Sequence, residues 1–116
     1  MANSLVRIPL EGGDEVVKLV IVVKGQFVWN LRYISEDATY YRGTKSSKSN
    51  TIVLGTSEDL IGDTDSWRLI IASPGDDEEG SIRLSWVVNG TVVDSWSQDL
   101  NTSEPQYEGM AFYFKK

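Results

Sequence analysis

Apolar residues in this chain recur at every second position almost wherever they cluster, a period that a strand produces and a helix does not. From Val16 to Lys24 the odd positions Val17, Leu19, Ile21 and Val23 are uniformly apolar, while the even ones mix Val16, Val20 and Val22 with Lys18 and Lys24. That is a strand with one dry face and one partly covered face. The same alternation puts Val6, Ile8 and Leu10 on one side of an early strand, Phe27, Trp29, Leu31 and Tyr33 on one side of the next apolar segment, and Met110, Phe112 and Phe114 on one side of the last. Further strands are predicted at 39–42, 51–54, 66–73, 81–88 and 91–97, and SEDLIGD has room for a single helical turn. About eight or nine short strands divided by Gly, Asn and Asp predict an all-β antiparallel β-sandwich of immunoglobulin-like or jelly-roll type. With 116 residues, the chain is expected to form one domain spanning 1–116. Its predicted core draws on Val17, Leu19, Ile21, Trp29, Trp67, Leu69, Leu84, Trp86, Phe112 and Phe114.

Two hairpins follow from local signals. A short connection over 24–26 would pair Ile21 with Trp29 and Leu19 with Leu31, keeping both apolar faces together. Asn89-Gly90 between two strand-like runs is the stronger signal, because a type I′ turn needs positive φ at both central residues. Counting outward from that turn without interruption sets Val87 opposite Val92, Trp86 opposite Val93, Leu84 opposite Ser95 and Arg83 opposite Trp96. One side then holds Ile82, Leu84, Trp86, Val88 and Val93, and reads as core. The other holds Arg83, Ser85, Val87, Val92, Asp94 and Trp96, and reads as surface.

Composition removes several chemistries. The chain has no Cys and no His, which excludes disulfides, thiolate metal sites and His-dependent catalytic triads. Eleven Lys and Arg against 17 Asp and Glu give a net charge of -6, the wrong sign for a nucleic-acid partner. No apolar run reaches membrane-spanning length, and MANSLVRIPLEGG shows no secretory signal, so a cytoplasmic location is expected. Catalysis would have to rely on carboxylates alone, and a small sandwich leaves little room for a deep cleft; no enzyme is expected.

The surface side of the second hairpin carries the functional expectation. An indole at Trp96, with Arg83 and Asp94 beside it, combines apolar area with hydrogen-bonding groups and predicts a stacking platform for a sugar. Tyr40 and Tyr41 point to opposite faces if extended, so one of them is a further candidate contact. The expected function is therefore a non-enzymatic, lectin-like carbohydrate-binding module. The alternative is a protein-interaction module or structural subunit, using the stripe Val87, Val92 and Trp96 to form a homodimer or to bind a basic partner.

A metal site is the remaining candidate. TSEDLIGDTDSW carries Glu58, Asp59, Asp63 and Asp65, a supply of oxygen ligands suited to calcium. The stretch resembles the acidic loop of calcium-dependent bacterial lectins, in which closely spaced carboxylates hold calcium that in turn holds sugar hydroxyls. The resemblance covers only this stretch, and the denser Asp and Asn run of such loops is missing here. It implies calcium as a cofactor without placing the chain in that family.

Overall fold

The segment with the strictest alternation, Val16–Lys24, lies in the interior of a sheet, and its odd residues are buried while most of its even ones face solvent. The structure is a computed structural model that describes residues 4–25, 28–33, 38–43, 49–62, 66–73, 78–102 and 106–116. The described residues form strands β1 (Ser4–Pro9), β2 (Val16–Lys24), β3 (Val28–Tyr33), β4 (Ala38–Gly43) and β5 (Ser49–Thr56), a short helix α1 (Ser57–Gly62), then β6 (Trp67–Ser73), β7 (Glu78–Val88), β8 (Thr91–Thr102) and β9 (Gln106–Lys115). They make a β-sandwich of two sheets, one ordered β1-β9-β6-β3-β4 and the other β5-β2-β7-β8. All pairings are antiparallel except β1 with β9, which runs parallel.

The two sheets bury their alternating apolar faces against each other, as the period requires. Each predicted core residue is buried, and Ile8, Leu31, Ile71, Ile82 and Met110 join them. At the centre, Phe112 meets Trp86 edge to face at 5.0 Å and Phe114 at 5.7 Å, while Trp67 lies parallel to it at 6.2 Å. Edge-to-face geometry sets the positive rim of one ring against the negative face of the other and adds to the area term.

The expected β2 and β3 hairpin does not form. These strands belong to different sheets, so the connection through Gly25 crosses the sandwich, and Gly25 has φ 94°. Both strands turn an apolar face inward, and lying in opposite sheets of the sandwich satisfies that pattern as well as lying side by side would. β2 instead pairs with β5 and β7, and β3 with β4 and β6.

Candidate functional site

The β7 and β8 hairpin begins as its turn predicts. Asn89 and Gly90 have φ 51° and 76°, Val88 pairs with Thr91, and Val87 with Val92. The register then shifts: Trp86 pairs with Asp94, Leu84 with Trp96 and Arg83 with Ser97. Val93 is an extra residue in β8, a β-bulge on an edge strand, where bulges concentrate because one side of the ladder has no second partner to keep in step.

This insertion exchanges the predicted faces of β8 beyond Val93, while those of β7 stand, with Ile82, Leu84 and Trp86 buried and Arg83 exposed. Trp96 shares a face with Leu84 and Trp86, and is half-buried against the rim of the core together with Val6 of β1. Asp94 stands opposite Trp86 on that same side, and its carboxylate accepts a hydrogen bond from the Ser95 N–H at 2.8 Å. Arg83 is exposed on the other side, opposite Ser97. The three residues expected to form one sugar platform are therefore divided between two faces. Tyr40 and Tyr41 lie in β4, with Tyr41 opposite Leu31 in register; their side chains lie outside the described residues.

Glu58 and Asp59 are exposed in the first turn of α1. The donors of that turn are already committed, with Ser57 N–H bonded to the Glu15 carbonyl, Glu58 N–H to the Gly13 carbonyl and Asp59 N–H to Thr56 Oγ1. Asp63 and Asp65 lie outside the described residues. Among the described residues no three acidic groups come together as metal ligands.

Two features absent from the expected site emerge instead. The first is the outer face of the four-stranded sheet. In register across it, Val53, Lys18, Val87 and Val92 form one row, Thr51, Val20, Ser85 and Ser95 the next, and Ser49, Val22, Arg83 and Ser97 a third. Four of its valines are well exposed, Val92 at 57%, Val53 at 54%, Val16 at 43% and Val22 at 39%. Lys18, Lys24 and Arg83 are exposed on the same face, as is Asp99, and Glu79, opposite Asn101, falls on that face by register. The even positions of β2 signalled this face in the sequence. The neighbours that complete it became visible only with the strand order.

The second is a cleft of about 760 Å³ at the Asn-Gly end of the sandwich, lined by Pro9, Leu10, Glu11, Glu15, Ser57, Val88, Asn89, Val93 and Lys116. One wall is the hairpin tip. The opposite wall is the loop after β1, which turns at Gly12 and Gly13 with φ 92° and 101°. That loop is fastened to α1 by the bonds above and by Gly12 N–H donating to the buried Ser57 Oγ at 3.0 Å. Positive φ at two successive positions explains why glycines occupy them. No local signal marked the cleft, since its walls come from both ends of the chain.

No protein-family model and no curated protein matches the chain. Among solved structures, a domain of unknown function, DUF4425, from Bacteroides vulgatus is similar, with a TM-score of 0.56 and 9% identity over 91% of this chain and 99% of that one. At that identity the likeness lies in the fold alone: this chain and that domain share an architecture.

Proposed function

We propose that the protein is a non-enzymatic interaction module that docks a protein partner on the outer face of its four-stranded sheet. The observation that carries this reading is the set of exposed valines on β5, β2 and β8, with half-buried Val87 of β7 between them, on one face of the sheet. Exposed valines set among Ser, Thr, Lys18 and Arg83 combine apolar area with hydrogen-bonding and charged groups, the mixed character of a contact surface. The Lys18, Lys24 and Arg83 charges select the partner. Although the chain as a whole is acidic at -6, the described positions of this face carry three cations, Lys18, Lys24 and Arg83, to two acids, Glu79 and Asp99, and the cations stand among the valine rows, so the face complements an acidic surface rather than the basic one expected from total charge. A symmetric homodimer through the same face is disfavoured, since an isologous contact would bring the cations of both copies into one interface. The glycan reading built on Trp96, Arg83 and Asp94 has less support, because those residues do not share a face.

The test is an NMR titration with an acidic, leucine-bearing peptide, alongside sedimentation of the protein alone. Shifts should map to the valine rows, disappear with Val53→Asp combined with Val92→Asp, and weaken about tenfold with Lys18→Glu if one charge-assisted contact is lost. Equal binding of a basic peptide, shifts elsewhere, or a stable dimer dissolved by the same variants would overturn the assignment.

A further inference from the structure

We propose that the cleft at the Asn89-Gly90 end is a second, separate binding site, for a neutral, hydroxyl-rich ligand of the saccharide class. Its volume of about 760 Å³ lies within the range of small-ligand sites, roughly 300–1,000 Å³. Pro9, Val88 and Val93 give it an apolar wall, against which the C–H surface of a sugar ring can lie. Its polar residues offer both kinds of hydrogen bond: Glu11 and Glu15 contribute accepting carboxylates, Asn89 an amide that donates and accepts, and Lys116 a donating ammonium. Two carboxylates against one ammonium repel anions, while hydroxyl groups donate to carboxylates in strong charge-assisted bonds.

The backbone points to the same place. Both edge strands of the four-stranded sheet are irregular at this end: β5 carries an extra residue at Leu54, next to Val17 and Gly55, and β8 carries Val93. Bulges re-aim side chains and accumulate beside binding sites, and the bulged Val93 lines the cleft. Both walls are preset, one by a tight turn and the other by a glycine loop hydrogen-bonded to α1, so little ordering cost is left to binding. The cleft shares no residue with the valine rows. Either site can therefore fail without the other.

The test is an NMR titration with a panel of neutral mono- and disaccharides, with butylamine and inorganic phosphate as the competing chemistries. Saccharide-induced shifts are expected at residues 10–15 and 88–93. Asn89→Gly, which keeps the turn but removes the amide, should weaken binding about tenfold. Val93→Trp should abolish it by filling the cleft, whereas Ser97→Trp on the outer face should leave it unchanged. If Val93→Trp does not fold, Asn89→Gly with Glu15→Gln carries the test. Absence of saccharide shifts, shifts confined to the outer face, or binding of butylamine or phosphate in place of sugars would overturn the proposal.

Discussion

The two halves of the β7 and β8 hairpin differ in how far local rules reach. Next to the turn, Val88 meets Thr91 and Val87 meets Val92, as Asn-Gly geometry dictates. Past Val93 each residue of β8 has moved one place along its partner, and a one-residue slip exchanges faces. Trp96 thus joins Trp86 on the inner side, but the two are not equivalent. Trp86 lies fully buried in a sheet interior, against Phe112, whereas Trp96 sits on an edge strand at the rim.

Truncating each tryptophan to alanine should separate these environments most clearly. Trp86→Ala removes a fully buried ring packed edge to face on Phe112 and should cost about 3–5 kcal/mol in denaturant unfolding. Trp96→Ala forfeits only partial burial and should cost about 1–2 kcal/mol. Equal losses would show that the rim is packed as tightly as the centre. Acrylamide should likewise quench the emission of Trp96 more than that of Trp86, measured in variants that retain one of the two.

The bulge itself can be removed. Deleting Val93 leaves Asp94 opposite Trp86 and Trp96 opposite Leu84, so both faces should survive, with stability within about 1 kcal/mol of the parent. Saccharide binding in the cleft should fall, because the hairpin wall loses Val93. A deletion variant whose Trp96 became freely quenchable would mean that the bulge, and not the alternation beyond it, holds the indole inward.

Asp94→Ala should give the smallest change. Its carboxylate holds the Ser95 N–H of an edge strand, a donor that would otherwise be open to another chain's strand. Unfolding free energy should drop by no more than about 1 kcal/mol. The clearer signal would be concentration-dependent association in sedimentation. A variant that stayed as monodisperse as the parent would show that the edge needs no such guard.

How much of this was legible in the chain depended on whether a pattern had one physical reading. Alternation at Val17 to Val23 and Met110 to Phe114 admits one answer, a strand with a buried face, and those residues are buried. The step from Lys24 to Val28 admits two, since a hairpin and a crossing between sheets need the same inward residues. Val93 in VVDSW has no signature, because an extra extended residue looks like any other; only the partner strand reveals that it is surplus. The valine face was half legible, because β2 showed mixed even positions but not which strands would lie beside it. The three-residue platform around Trp96 depended on uninterrupted counting, so one insertion divided it.

The parallel pairing of β1 with β9 bears on the order in which the molecule can be completed. Val6 and Ile8 of β1 are among the first core residues made, yet the strand they pair with, through Phe112 and Phe114, is made nearly the whole chain later. Throughout synthesis β1 therefore carries an apolar face with no neighbour in its sheet. Closing such a distant pair is entropically slow and leaves an early intermediate open to association. The five-stranded sheet is finished at β1, the last strand to gain its partner though the first to exist.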